Sequence, residues 1–433
     1  MKTISDNPVN NKCDSPSWME MLKVWCRIGF LSFGGPAAQI ALMHSEVVEQ
    51  KKWLTEKQYL NALSFCMLLP GPEAMQLATY AGWRLQGTLG GLLAGLLFVL
   101  PGALVILVLA TMYSFLGDMP TFTAFFLGVK AVVIVVVVQA LMRISAKSLL
   151  AMRYWVTAIV SFVAIFFLAI PFPLIVAVAA LYGFFSAERN NRTKLPASKK
   201  IPFKKTLTTI IVWLVIWWLP LLSMLFFLPD SILTQLGLFF SKLAVVTFGG
   251  AYAVLSYMAQ DVVTQFGWLT ATEMMDGLGL AETTPGPLIL VTEFVGFIAA
   301  ANQASLWMGI AGAVVSLWAT FVPCFLWVFT FAPYVEKIAH QPRLSSALSA
   351  ITAAVVGVIA NLSAWFALHV VFQEVQLKEQ GIFSIWFPAI ETIDWRAIVL
   401  IMINAVLLFK YRWGIIPLLG LSSCLGALFV LNV

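Results

Sequence analysis

The chain has 433 residues, 61% of them hydrophobic and only 11% charged, with a formal net charge of +6. Soluble domains carry roughly twice that charged share, so a soluble globular protein is excluded. The basic excess is mostly loop Lys and Arg and reads as membrane topology, not as nucleic-acid binding.

Many stretches approach or exceed 18 apolar residues, which marks an all-α polytopic membrane protein. The short alternating strands of a transmembrane barrel are missing. Residues 1–17 are a polar tail, so no cleavable signal peptide is expected. Ser15-Pro16 reads as a helix start, with Ser at the N-cap and Pro at the first helical position. An apolar helix then runs to about Phe33 and breaks at Gly34-Gly35-Pro36. A short helix follows to about Val48, then a charged segment from Glu49 to Lys57. Residues 58–69 and 72–83 are two apolar segments around Pro70-Gly71-Pro72. Each is about 18 Å long at about 1.5 Å per residue, too short to cross a bilayer. They form either one discontinuous span or a re-entrant hairpin.

Residues 88–114 make a full span, with Gly87, Gly91 and Gly95 as a close-packing face. Residues 121–142 make another, with Lys130 inside it, and Arg143, Lys147 and Arg153 follow as a basic loop. Residues 154–170 and 174–187 flank Pro171-Phe172-Pro173 as a hairpin of two short spans. The linker 188–205 holds seven Lys or Arg against Glu188, which marks the cytoplasmic side. Residues 206–230 are a single connecting transmembrane helix. Five scattered cysteines without a CxxC and three distant histidines offer no disulfide framework and no metal site, and no cofactor is expected.

The second half repeats the first. Residues 33–72 align without a gap to 248–287, with 15 identities in 40 positions. Ser32-Phe33-Gly34-Gly35-Pro36 matches Thr247-Phe248-Gly249-Gly250, and Pro70-Gly71-Pro72 matches Pro285-Gly286-Pro287 after Thr284, both 215 positions on. The chain therefore divides into a first repeat, 18–187, and a second, 231–433. Corresponding loops carry opposite charge bias. The Arg143–Arg153 loop matches residues 369–394, which hold Glu374, Glu379, Glu391 and Asp394 against Lys378. The Asp118 segment matches one with Lys337 and Arg343. The repeats are thus expected to be inverted, with the N-terminus cytoplasmic and the C-terminus outside.

A broken helix in hydrocarbon survives only where protein or water covers it. Helices starting near Pro36, Pro72, residue 251 and Pro287 would aim free N–H groups and the positive end of the helix dipole at the membrane middle. Up to four such ends suit a tetrahedral oxyanion. The expected substrate-binding set is Ser32 to Pro36, Pro70 to Glu73 with Gln76, Thr247 to Gly250, and Thr284 to Pro287. Arg27 and Lys242, also 215 apart, with Lys130 and Arg84, are candidates for anion attraction or gating. Glu73, Glu282 and Glu293 bracket the breaks as proton-coupling candidates.

At these residues the chain resembles the chromate ion transporter family, in its long two-domain form. The resemblance rests on Phe33-Gly34-Gly35-Pro36-Ala37-Ala38, Leu69-Pro70-Gly71-Pro72-Glu73-Ala74, Tyr80-Ala81-Gly82-Trp83-Arg84, Phe248-Gly249-Gly250 with Tyr252-Ala253-Val254-Leu255, and Thr284-Pro285-Gly286-Pro287. It implies a bacterial inner-membrane exporter of chromate that confers resistance, with sulfate as a related substrate or competitor. Ala251 and Ser256 depart from the family pattern, where a third Gly and a Pro are common. The expected partners are a small inorganic anion and the lipid bilayer, and a homodimer stays open. No GxxxxGK[ST] is present, so ATP is not the expected drive. Sulfate transport and an anion channel are the alternatives. An intramembrane enzyme is disfavoured by the lack of a Ser/His/Asp set or paired catalytic carboxylates.

Overall fold

The computed structural model describes residues 16–117, 119–186, 203–248, 251–335, 341–381 and 383–431. The N-terminal tail through Ser15, Asp118, most of the basic linker, Gly249, Gly250 and Lys337 lie outside the described residues. The protein is an all-α polytopic membrane protein; among the described residues five helices are long and apolar enough to cross a bilayer.

The first helix, α1 (Trp18–Leu31), is capped by Ser17, whose side chain accepts from the Glu20 N–H. Ser15-Pro16 is therefore not the start: a hydroxyl two residues later satisfies the first-turn donors instead. The buried stripe Met21, Val24, Trp25 and Ile28 follows helical spacing. α2 (Gly35–His44) begins after Gly34, whose φ of 84° favours glycine. α3 (Glu56–Cys66) carries a capping box from Thr55 and Gln58. α4 spans Glu73–Leu116 and is interrupted at Gln86 and Gly87.

The first short segments are re-entrant hairpins. Lys51, beyond α2, pairs with Glu20 at 2.8 Å, and Gln86, at the α4 interruption, donates to the Pro16 carbonyl at 2.8 Å. Both hairpins therefore return to the membrane face where α1 starts. The stretch of α4 after Gly87, about 29 residues or about 43 Å, then crosses to the opposite face. Gly87 turns the chain at a φ of 65° and packs against nothing, so the close-packing face is Gly91 and Gly95 alone, on Phe329 and Phe325.

α5 (Pro120–Ser148) returns and keeps Arg143 and Lys147 in its last turns, so the basic loop shrinks to residues 149–151. Their long stems suit an interfacial helix end, where the cation reaches water without ending the helix. α6 (Met152–Phe166) and α7 (Phe172–Phe185) form the short hairpin, and α8 (Phe203–Phe227) is the connection. Only 17% of the α8 span is buried, so it lies at the lipid-facing edge, held by Trp217 donating to Ser241 at 3.1 Å.

The second half repeats this order: α9 (Ile232–Val246), α10 (Ala251–Gln260), α11 (Ala271–Thr283), α12 (Val291–Gln303), α13 (Leu306–Phe331) and α14 (Pro342–Val371). The α11 capping box, Thr270 and Glu273, lies 215 positions after that of α3. α11 and α12 also form a hairpin, since Asn302 donates to Glu273 at 3.3 Å. α12 is buried from Val291 through Ala300 and forms the centre of the molecule. A two-stranded antiparallel hairpin, β1 (Val375–Gln380) and β2 (Phe383–Pro388), interrupts the acidic loop. It docks on the α6–α7 turn through Ser384 N–H to the Phe167 carbonyl at 2.8 Å. α15 (Trp395–Ala405) and α16 (Ile415–Leu431) close the chain.

This arrangement fixes which positions share a membrane face. Single cysteines at Lys51 and Thr88, in a cysteine-free background, are expected to react with an impermeant maleimide from one side. Cysteines at Thr272 and Gln303 are expected to react from the other. Labelling of Lys51→Cys and Thr88→Cys from opposite sides would mean a discontinuous span.

Candidate functional site

The four break segments meet in reciprocal pairs. The Gly71 N–H donates to the Thr247 carbonyl at 2.8 Å, and the Gly286 N–H donates to the Ser32 carbonyl at 2.9 Å. Both donors and both acceptors are 215 positions apart (286 − 71 and 247 − 32). Each break loop thus caps the end of the opposite half's first helix. The carbonyls are free to accept because α1 and α9 stop there. The Ser32 and Thr247 hydroxyls turn back onto Ile28 and Leu243, each at 2.6 Å.

Gly71 and Gly286 have φ values of 118° and 91°, which disfavour a side chain. Each is crossed by a full-length helix carrying a proline. A Cβ on Gly102 would strike the Pro285 carbonyl, and a Cβ on Gly71 would lie 2.8 Å from Cys324 Sγ. Pro101-Gly102 and Pro323-Cys324 stand 222 positions apart, the later register of the repeat. Sequence reasoning missed both pairs, although a proline inside each long apolar helix at that offset was the available signal.

Two helix starts differ from expectation. Pro72 and Pro287 are N-caps with extended backbone (ψ 109° and 136°), not first helical residues. The loop must turn sharply after a positive-φ glycine, and the extended proline completes that turn. Pro36 does sit in the first turn of α2. The Gly71 and Gly286 N–H groups are committed to carbonyls, so open donors at these breaks come from the first turns of the following helices.

Two half-one amides tie the breaks together. Gln39 Nε2 donates to the Gly286 carbonyl at 2.6 Å and to the Ser32 carbonyl at 3.2 Å; Gln76 Nε2 donates to the Pro70 carbonyl at 2.6 Å. Their Oε1 atoms are buried without a partner. Half two has Val254 at the position of Gln39, and its second break is followed by the apolar run Leu288 to Val291.

The family model described as "Chromate transporter" matches residues 19–184 and 234–428. The chain belongs to the chromate transporter family. It is similar to a probable chromate transport protein of Synechococcus elongatus, 31% identical over 350 residues, covering 80% of this chain and 83% of that one. A chromate transport protein of Cupriavidus metallidurans is 31% identical over 351 residues, covering 79% and 80%. A transporter of Bacillus subtilis is 30% identical over 172 residues, which are 39% of this chain but 87% of its own length. No solved structure matches.

The breaks of this transporter are unequally open. A cavity of about 490 Å³ reaches Gly71 and Glu73 from the face where α1 starts, lined also by Lys147, Ser345, Ser349 and Thr352. Residues 284–287 are buried throughout, with Gly286 packed under Gly102 and Leu290. On the α1 face a second cavity, about 610 Å³, holds Arg84 and Lys205 with Thr88, Thr206, Thr209 and Thr330 and no acid among its lining residues.

The other predicted residues are scattered around this centre. Arg27 pairs with buried Glu46 at 3.3 Å, and Lys242 stands 5.6 Å over the Tyr257 ring. Phe248 lies half-buried beside the α9 end, and Phe33 and Gly35 are half-buried in the α1–α2 loop. Glu282 accepts from Tyr252 at 2.8 Å, while Glu293 is buried with its Oε2 unpartnered. Lys130 is not a free cation: it faces Asp276 at 3.5 Å, an acid of α11 that sequence reasoning overlooked.

The crossing at Gly71 leaves no room for a methyl group. Gly71→Ala is expected to cost about 1–3 kcal/mol through overpacking and to lower transport per folded protein. Cys324→Gly in the same chain is expected to recover only part of the loss, since the positive φ and Gln76 Nε2 at 2.7 Å still oppose the side chain. Flux in proteoliposomes, normalised to protein amount, checks both.

Proposed function

We propose that this chain is a secondary transporter that exports chromate, a tetrahedral dianion, from the cytoplasm across a bacterial inner membrane and so confers resistance. The observation that carries this reading is the reciprocal crossing of the breaks beside a cavity that ends on Gly71 and Glu73. In this reading the repeats are inverted about an axis through the crossing. One anion site then lies between them, and the linker face is cytoplasmic.

The chemistry at the cavity floor favours an oxyanion. The first turn of α4 offers N–H groups without intrahelical partners, and its dipole end is positive. Lys147 adds a cation on the approach, and Arg84 with Lys205 forms an acid-free vestibule on the same face. Glu73 stands at the same helix start. A dianion and a carboxylate repel there, so Glu73 must be neutral or displaced when the anion settles, which gives it a gating role. The open first break and closed second break fit a carrier caught facing the cytoplasm. Release on the far side requires the roof over Gly286, formed by Gly102 and Leu290, to part.

Membrane potential suffices as a drive. A dianion leaving a cell that is negative inside gains about 2.3 kcal/mol per charge per 100 mV, roughly 4.6 kcal/mol in all. That sustains more than roughly a thousandfold gradient at about 1.4 kcal/mol per decade.

Labelled chromate is expected to move in proteoliposomes when a potential is imposed, with saturation and counterflow; unlabelled sulfate is expected to compete. If no imposed gradient moves either anion, the exporter reading fails. Gly35→Leu and Gly71→Leu are each expected to abolish flux, and unchanged transport in both would remove the helix-start site. Lys147→Gln is expected to raise the chromate KM several-fold with little change in maximal rate.

A further inference from the structure

Glu73, Glu282 and Glu293 flank the breaks, yet none has an ion-pair partner among the described residues. Asp276, on α11, does. Its Oδ1 faces Lys130 Nζ of α5 at 3.5 Å, and its Oδ2 accepts from the Tyr113 hydroxyl of α4 at 2.8 Å. Both charged side chains are largely buried, with 11% and 4% of Lys130 and Asp276 exposed. A buried pair of this kind is a weak contribution to stability, because desolvating two ions offsets most of their attraction. Inside a membrane segment such residues are by default functional.

Asp276, with Lys130 behind it, lies in the wall of a cavity of about 410 Å³. Tyr113, Ser114 and Gly117 at the end of α4, Thr123 near the start of α5, and Glu273 near the start of α11 line it. These positions belong to the face opposite the one that the Gly71 cavity opens on. One cavity thus approaches Asp276 from one side of the membrane, and another approaches the first break from the other.

We propose that Asp276, held between Lys130 and Tyr113, is the proton-binding group that couples transport to the pH gradient. This rests on the secondary-transporter reading above. The charged and titratable groups facing Asp276 are Lys130 from α5, Tyr113 from α4 and Glu273 one turn earlier on α11. α12 brings only the Asn302 amide to the cavity wall as a polar group. When Asp276 takes up a proton from the cavity, its charge is lost and Lys130 loses its counter-ion. The electrostatic tie between α5 and α11 is then released. α11 ends at Thr283, directly before the second break, Thr284 to Pro287. It is otherwise seated by contacts a neutral acid does not alter: Gly277 against Phe294 and Gly279 against Val129. Proton occupancy of Asp276 therefore sets how firmly the helix leading into the closed break is held. The duplication did not supply this device, since Asn61 and Thr352 occupy the matching positions of the other halves.

The test uses the full chain in proteoliposomes with the potential clamped at zero. Chromate flux by the unmodified protein is expected to respond to an imposed pH gradient. In Asp276→Asn that response is expected to fall at least tenfold, while chromate counterflow at equal pH stays within twofold of the unmodified protein. Tyr113→Phe is expected to shift the pH profile of flux without abolishing it. The double variant Lys130→Gln with Asp276→Asn guards against misfolding: it should melt near the unmodified protein in detergent and show the same uncoupled flux. A full pH-gradient response in Asp276→Asn overturns the proposal. So does an unmodified protein that exchanges chromate yet ignores the pH gradient. Absence of counterflow for both chromate and sulfate in the unmodified protein would instead defeat the transporter reading itself.

Discussion

Hydrocarbon tolerates no unpaired backbone, and two hydrogen bonds answer that constraint here. A helix that stops in mid-membrane leaves its last carbonyls open, and a loop that turns there leaves its N–H groups open. Each deficiency is met by the opposite half: the Gly71 N–H covers Thr247 and the Gly286 N–H covers Ser32. Everything around the centre serves this exchange. The glycines permit the positive φ, the prolines complete the turns, and Gly102 and Cys324 let long helices pass close over the loops. α12, buried along ten consecutive residues from Val291 to Ala300, fills the space behind.

The two halves share backbone and differ in chemistry. Half one supplies Gln39, Gln76 and Lys130, where half two has Val254, an apolar run from Leu288 to Val291, and Thr352. Half two supplies Asp276 opposite Asn61, and Cys324 opposite Gly102. The amides cross-brace the breaks from one side only, and among the described residues the one ion pair buried on both sides joins a lysine of the first half to an acid of the second. A backbone frame with near-equal halves thus carries an unequal polar interior. Such inequality separates the open cavity at Gly71 from the sealed segment at Gly286.

Much of this was legible in the sequence because the signals were local. The paired Gly/Pro breaks, the short apolar segments, the proline between α6 and α7 and the start of α10 follow from backbone chemistry alone. The start of α1 was misplaced by two residues, because Ser15 and Ser17 are equally good caps on paper and only tertiary packing chooses. Gly87 looked like a packing glycine because its spacing to Gly91 and Gly95 is helical, whereas its φ decides that it turns. Whether the short segments cross or return was open, since length gives no direction; the Gln86 and Lys51 contacts supply it. The β1–β2 strands hid in a loop whose acids dominated its reading. Asp276 was overlooked because its partner lies 146 positions away in the other half (276 − 130). The binding residues themselves stand as a reading of geometry and chemistry, with Gly249 and Gly250 outside the described residues.

The reciprocal exchange also bears on how independent each half can be. Severed between α7 and α8, either piece would retain a complete set of apolar helices. It would also keep one glycine N–H in mid-membrane with nothing to meet, and the second piece the Thr247 carbonyl as well. Neither piece is then a self-sufficient folding unit; each is a template for the other. Joining them through α8 removes the concentration dependence of that encounter and fixes their ratio at one to one. With the partner always present, the halves were also free to drift apart in sequence without losing it.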